Sequence, residues 1–405
     1  MKRIVLLILG VFIFSITPFA QEKVEGTEVK KEENKKLEIK PYGFIKGDMI
    51  YTTKGVNSFG ADNLSAPQVA NGIDRATTGL TAQHTRLGVK STVGDKIKVG
   101  GLVEIDFYGG AFDANIKPRL RLAYASIATG GFEAKMGQQW DLFSPNNANT
   151  NNTNGNLWYA GNRGFRRSQL QLSYTIANDK FSPMVQFSVG ETSKEDAGLG
   201  KDNLSGMPMI QGRISGKIMK KYVIGISFVS GKYLEKKGTI IALDTLKKDF
   251  KFSTTGIGVD FNLPFHKYFS LLGEFNTGTN LNNANLFSVA GNHSWGFSGG
   301  NVVQNDKKSM GYWLNATSNI TDWFGVVVGY GLDKNTSSKY VTNNIEKNSV
   351  LYLDFVFPIK HGFSVALEVQ NIKTTVVNTT DANGKILTTK DLDANVINLS
   401  AKVTF

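Results

Sequence analysis

From Pro41 to Phe405 the chain is built from short segments in which apolar and polar residues alternate. A period of two places successive side chains on opposite faces of a strand. The last segment is the clearest: Ile397, Leu399, Ala401, Val403 and Phe405 share one face, and Asn398, Ser400, Lys402 and Thr404 share the other. Leu170, Leu172 and Tyr174 alternate in the same way with Gln169, Gln171 and Ser173. Further on, Val365, Leu367 and Val369 alternate with Glu368 and Gln370. Seven short turns punctuate the series, at residues 94–96, 129–131, 178–180, 220–221, 264–267, 321–322 and 358–362. Each carries residues that favour tight turns or place charge at a strand end. Between them lie eight polar stretches rich in Asn, Gly, Ser, Thr, Asp and Lys, near 53–83, 108–116, 141–165, 191–207, 234–249, 279–308, 334–347 and 374–391. Eight long loops and seven turns join sixteen strands, with both ends of the series on the short-turn side.

An even number of antiparallel strands, with short turns at one end and long loops at the other, describes a transmembrane barrel. The fold class expected is therefore all-β, a 16-stranded antiparallel barrel over residues 41–405. Residues 1–20 open with Met1-Lys2-Arg3 and an apolar run from Ile4 to Phe19, the layout of a secretory signal. Residues 21–40 are rich in Lys and Glu without apolar periodicity, which predicts a solvated linker. After the leader no apolar run is long enough for a spanning helix, and there is no cysteine. A closed barrel needs no disulfides, because every strand is paired and lipid covers the apolar face. Phe132, Phe181, Tyr222, Tyr268, Trp323, Phe324 and Phe363 gather near the short turns, as an interfacial aromatic girdle would. Phe405 on the final alternating strand resembles the assembly signal of outer-membrane barrel proteins. The expected location is the outer membrane of a Gram-negative-type bacterium, crossed many times. The expected partners there are membrane lipid and the barrel-assembly machinery.

The formal charge is +12. A basic exported barrel points to small anionic solutes in its lumen rather than to nucleic acid. Lys or Arg on the lipid face near the midplane costs roughly 2–4 kcal/mol, so strand charges are expected to point inward. By parity the inward set includes Lys46, Arg86, Lys90, Arg119, Arg121, Lys135, Arg167, Arg213 and Lys217, interleaved with Asp48, Glu104, Asp106 and Glu133. Apart from Arg3, every arginine lies between Arg75 and Arg213, while the later strands carry the inward acids Asp260, Glu274, Asp354 and Glu368. This predicts a basic early wall facing a more acidic later one. Arginine stays protonated and offers a planar fork to carboxylate or phosphate. Salt bridging that stiffens the wall, such as Arg86 with Glu104 or Asp106, is the competing use of these arginines.

The third long loop, residues 141–165, is the constriction candidate. It is Asn-rich, with Asn147 and Asn152 among its residues, then carries Trp158 and Tyr159, and is closed by Arg163, Arg166 and Arg167. The aromatic pair predicts packing inside the barrel rather than a loose exterior loop.

Several segments in order resemble the DcaP-like outer-membrane porins. They are Pro41-Tyr42-Gly43-Phe44-Ile45-Lys46-Gly47-Asp48, Thr85-Arg86-Leu87-Gly88-Val89-Lys90, Glu104-Ile105-Asp106-Phe107, Arg119-Leu120-Arg121-Leu122-Ala123-Tyr124, and Gly137-Gln138-Gln139-Trp140-Asp141-Leu142-Phe143. Beyond Tyr174 only the architecture corresponds. The resemblance implies a homotrimeric channel for small, often dicarboxylic, anions, with Arg86, Arg119, Arg121 and Arg167 around its eyelet. Family members can carry an N-terminal coiled coil; residues 21–40 have no heptad seam. A phosphate-selective porin is the alternative within the channel class. Outside it stand a structural or adhesive barrel and an outer-membrane hydrolase. The only histidines are His84, His266, His293 and His361, and no nucleophile motif accompanies them. No metal-ligand or phosphate-loop spacing occurs, so neither enzymatic activity nor a cofactor is expected.

Overall fold

The computed structural model describes residues 37–56, 69, 74–109, 116–151, 157–192, 207–241, 244–298 and 301–405. The expected signal segment, the linker up to residue 36 and Asn152 lie outside these residues. The strands are β1 (Glu38–Thr52), β2 (Thr77–Thr81, resuming as Arg86–Val93), β3 (Ile97–Asp106), β4 (Arg119–Thr129), β5 (Phe132–Trp140) and β6 (Arg166–Thr175). They continue as β7 (Phe181–Gly190), β8 (Met209–Ile218), β9 (Tyr222–Glu235), β10 (Phe250–His266) and β11 (Phe269–Thr279). The last five are β12 (Lys308–Thr321), β13 (Phe324–Asn335), β14 (Ile345–Pro358), β15 (Phe363–Thr380) and β16 (Ile386–Thr404). Each pairs antiparallel with its neighbours in sequence, and β16 pairs with β1 from Phe44↔Thr404 to Thr52↔Val396. The sheet therefore closes on itself with sixteen strands.

The alternation resolves into an apolar outside and a polar inside. Ile45, Leu80, Val103 and Ile214 stand outward and exposed, Leu80 at 74%. Their neighbours in parity, Lys46, Asp48, Glu104, Gln211, Glu368 and Asn398, are buried within the barrel. Such an inside-out distribution is stable only where lipid covers the outer face. At the short-turn end Tyr222, Phe265 and Phe269 form a chain of rings with centroids 5.8 and 6.0 Å apart. Phe324 packs against Phe355 and Phe357 at the same end of a neighbouring sector.

Three boundaries differ from the sequence expectation, the first being β1, which begins at Glu38 inside the stretch 21–40 expected as a linker. The stretch 374–391 was expected as a loop, yet β15 runs to Thr380 and β16 begins at Ile386, leaving a turn at residues 381–385. Its residues are β-branched and mostly polar: Thr374, Thr375, Thr379 and Thr380 around Val376 and Val377. Such residues suit a strand that has risen above the apolar belt, where neither face must be greasy. The third difference is Thr77–Thr81, which pairs with β1 rather than belonging to the first loop. Phe44 pairs with Arg86 and Asp48 with Thr81, so β2 spends one residue more than β1 across this break. Thr85 Oγ1 accepts the Lys46 backbone N–H there, at 3.1 Å.

Among the described residues the rule of apolar outside fails in two places: Met209 and Val229 are buried with Phe143, Leu281, Ala284 and Leu286, and a larger patch lies on the later strands. Trp313, Val350, Ile372, Ala394 and Val396 are buried together on the inner wall of β12 and β14–β16. They pack with Ala148, Leu157 and Ala160 of the third loop. An apolar patch inside a water-filled barrel requires a cover, and the loop supplies it.

Candidate functional site

The third loop leaves β5 at Asp141, follows the inner wall away from β6, and returns to β6 at Arg166. Its outward leg is held by a succession of side chains on the later strands. Phe143 N–H donates to Gln211 Oε1 on β8 at 2.9 Å. Glu274 on β11 accepts the Asn146 N–H at 2.6 Å and the Ser144 hydroxyl. Asn315 on β12 accepts the Asn149 N–H at 2.9 Å, and the Tyr352 hydroxyl on β14 donates to the Asn149 carbonyl at 2.9 Å. Glu368 on β15 accepts the Asn151 N–H at 2.7 Å, and Lys46 on β1 donates to the Asn151 carbonyl at 2.6 Å. Two of the four acids of the later wall are thus engaged by loop N–H groups, while Asp260 pairs with Arg213. Glu274 and Glu368 serve as docking points for the loop, which revises the expectation of an open acidic wall.

The return leg lies flat against β12 and β13 because both surfaces lack side chains there. A Cβ on Gly331 would meet the Ala160 carbonyl at 2.1 Å, and one on Gly161 would meet the Tyr312 carbonyl at 2.2 Å. Gly161 also has φ +107°, a conformation that side chains disfavour. Arg163 then anchors the leg: its guanidinium forks onto Asp333 at 2.6 and 2.7 Å, and its Nε donates to Asn276 at 2.7 Å. Both partners of that pair are fully buried. Trp158 donates to the Gly164 carbonyl at 3.0 Å and packs on Phe165 and Phe287, with centroids 5.3 and 4.7 Å away. Tyr159 packs on the same Phe287. Asn147 is half-buried on the outward leg.

The early wall is different. Arg119 forks onto Asp106 at 2.8 and 2.5 Å, and Arg121 reaches Glu104 at 2.7 Å and Asp106 at 3.0 Å. Arg86 lies 3.7 Å from Glu104. Arg166 has no carboxylate partner among the described residues, and its Nε and Nη1 make no hydrogen bond. Its guanidinium lies instead over Trp140 and Phe165, at 5.2 and 4.7 Å from the ring centroids. Arg86 lies over Phe44 and Arg119 over Tyr108, at 5.3 and 5.4 Å. Aromatic faces can hold a guanidinium without cancelling its charge. Four guanidiniums on β2, β4 and β6 therefore share two carboxylates; Arg86 and Arg119 are partly exposed, while Arg121 and Arg166 are buried, the latter beneath Phe165 of the loop.

The remaining sequence candidates are placed elsewhere. Arg167 is buried and forks onto Asp141 at 2.5 and 2.8 Å, closing the base of the loop. Its carboxylate partner, Asp141 rather than Glu104 or Asp106, separates it from the group formed by Arg86, Arg119 and Arg121. Arg213 forks onto Asp260 across β8 and β10, and Lys135 pairs with Glu133 at 2.9 Å. Sequence reasoning missed the docking roles of Glu274, Asp333, Gly331 and Phe287. Parity does mark Glu274 as inward, but nothing local marks which loop backbone it meets.

Phe287 belongs to the sixth loop, residues 280–307, whose fold includes His293. Its imidazole stacks on Phe252 with centroids 3.1 Å apart, and burial pushes it down to about 4 from its ordinary 6.5. Asp306 opposes that shift and Lys307 adds to it. A histidine held neutral in the fold is protonated first in the unfolded chain. The sixth loop should therefore be at full stability above pH 6.5 and lose it as the pH falls toward 4. Protease cleavage within the loop should rise between pH 7.5 and pH 5.5 (about one unit either side of the ordinary histidine value). In His293→Phe that rise should vanish; a rise of equal size in the variant would exclude His293 as its origin.

No family model matches the chain, and no curated protein matches its sequence. Solved structures do match its fold. The outer-membrane channel DcaP of Acinetobacter baumannii superposes with a TM-score of 0.71 at 18% identity, over 91% of this chain and 97% of that one. An anion-selective porin from Comamonas acidovorans gives a TM-score of 0.57 at 13% identity, over 91% of this chain and 100% of that one. The trimer form of OmpT, an outer-membrane protein of Vibrio cholerae, gives 0.55 at 11% identity, over 91% and 99% of the two chains. At these identities the likeness is one of fold.

Proposed function

We propose that the protein is an outer-membrane porin that lets small hydrophilic solutes diffuse passively and favours anions such as dicarboxylates. The observation that carries this reading is the arginine wall: Arg86, Arg119, Arg121 and Arg166 around Glu104 and Asp106. Two positive charges remain after those acids are matched. The third loop lies against the other side of the lumen and brings backbone and asparagine rather than countercharge. A fixed positive field in a narrowed pore raises the local concentration of anions without binding them too tightly to leave. Arg119 and Arg121 share a face two residues apart, about 7 Å along the strand, so one dicarboxylate can touch both. Assembly as a homotrimer is part of the same reading, supported by the trimer form among the structures of like fold.

Reversal potential across a planar bilayer in a salt gradient tests the selectivity. Changing Arg119 and Arg121 to Ser leaves Arg86 and Arg166 against two carboxylates, so anion preference should disappear or invert. Lys385 is exposed beside the turn between β15 and β16, where charges are screened within about 8 Å at physiological salt. Lys385→Gln should shift the potential much less. If the arginine double variant keeps the wild-type potential while Lys385→Gln loses it, selectivity resides in the outer vestibule and the wall assignment fails.

A further inference from the structure

The seven short turns differ in charge. Those joining β6 to β7, β8 to β9 and β10 to β11 carry Lys180, Lys220, Lys221 and Lys267 against the single acid Asp179. The other four carry Lys96 and Lys360 against Asp95 and Asp322, which cancel. Among the seven turns, excess positive charge is thus confined to three consecutive ones. Asp179 is taken up by Lys220 at 2.8 Å.

The outer face bordering these turns is aromatic. The Phe181 ring lies over Gly216, where a Cβ would meet it at 2.2 Å. Tyr222, Phe265 and Phe269 continue the row across β9, β10 and β11. The ammonium groups of Lys221 and Lys267 each sit 4.5 Å from a ring centroid, over Tyr222 and Tyr268. Both ammonium heads thus lie on aromatic faces at the short-turn end, and that of Lys221 also donates to the Phe265 carbonyl at 3.3 Å, a placement suited to a bilayer surface. Further along the same strands, Ile214, Ile224, Ile226, Phe228, Ile257 and Val259 are outward and 40–66% exposed. That is a surface for acyl chains.

We propose that this sector, β6 to β11 at the short-turn end, binds the headgroups of anionic phospholipids in the adjoining leaflet. Phosphates are held between neighbouring turns, by Lys180 with Lys221 or by Lys221 with Lys267, and the chains lie along Phe181, Tyr222, Phe265 and Phe269. Adjacent turns stand about 10 Å apart, two strand spacings, so flexible lysines on neighbouring turns can converge on one phosphate. The assignment rests on the membrane-spanning reading above, and it concerns the outer wall rather than the pore.

The test uses the full chain purified in detergent, with phosphatidylglycerol and phosphatidylcholine of matched chains, read by native mass spectrometry. The wild type should retain phosphatidylglycerol preferentially. A lysine near a membrane surface contributes about 1 kcal/mol, so Lys180→Gln/Lys221→Gln/Lys267→Gln should reduce that retention roughly tenfold or more. Phosphatidylcholine retention should not change. Lys96→Gln/Lys360→Gln, on turns outside the sector, should behave as wild type. Three results would overturn the proposal: no preference in the wild type, undiminished retention in the triple variant, or an equal loss in the control. Single-channel recording of the same samples keeps the two readings apart. A wild type that forms no channel sinks the porin assignment, whereas normal channels with no lipid preference sink only the lipid site.

Discussion

Arg163→Ala is expected to raise single-channel conductance and to make the third loop accessible to protease. Arg163 is the main ionic anchor of the loop's return leg, tied to Asp333, Asn276 and the Phe287 carbonyl. Removing one partner of a buried ion pair costs about 3–5 kcal/mol, much of it from the charge left behind. Here that charge is Asp333, which is fully buried on β13. Relief comes most readily from water entering between loop and wall, and the sixteen strand pairings around it do not depend on the loop. The barrel should therefore still form while the loop loosens. Arg163→Ala/Asp333→Ala separates the two effects. It removes the orphaned carboxylate and should recover much of the thermal stability, yet still lack the tether and still conduct more than wild type. Wild-type conductance and protease resistance in both variants would mean that the apolar cover and the outward-leg contacts, Glu274 and Glu368 among them, hold the loop without Arg163.

Deleting Phe405 is expected to leave little folded barrel in the membrane. The closing seam ends in a reciprocal pair, Gly43 N–H to the Phe405 carbonyl and Phe405 N–H to the Gly43 carbonyl, both 3.1 Å. The seam at this point admits only glycine, because Gly43 has φ +153° and a Cβ there would meet the Arg86 carbonyl at 2.2 Å. The Phe405 ring is 56% exposed on the outer face, in line with Val403 at the aromatic end. Its loss removes two seam hydrogen bonds and one interfacial anchor at the point where the ring must close. Barrel closure is what removes exposed strand edges, so an unclosed seam favours aggregation. Phe405→Asp should behave like the deletion, and Phe405→Trp should retain assembly. Normal amounts of heat-modifiable barrel from the deletion would show that closure tolerates its absence.

Sequence alone determined the strand count, the direction of each face and the end at which turns are short. These are local properties: side-chain direction alternates every residue, and a turn is recognised within a few positions. The same rule assigned Glu104, Asp106, Arg119 and Arg121 to the lumen. It faltered where the local environment is not lipid against water. Thr374–Thr380 looked like loop because a strand above the apolar belt has no greasy face. Val350, Ile372 and Val396 point inward because a loop covers them.

The division of labour among the arginines was decided by tertiary structure. Arg163 and Asp333 are 170 residues apart, and Arg213 and Asp260 are 47 apart. No periodicity reports which cation meets which acid when the chain closes into a ring. Arg163 and Arg167 follow one another within a loop base and appear equivalent in sequence to Arg166. The fold gives Asp333 to one and Asp141 to another, and leaves Arg166 on the rings of Trp140 and Phe165 with its charge uncancelled. Charge that survives in the lumen is a difference between arginines and the acids that reach them, and only the closed barrel brings those acids within reach.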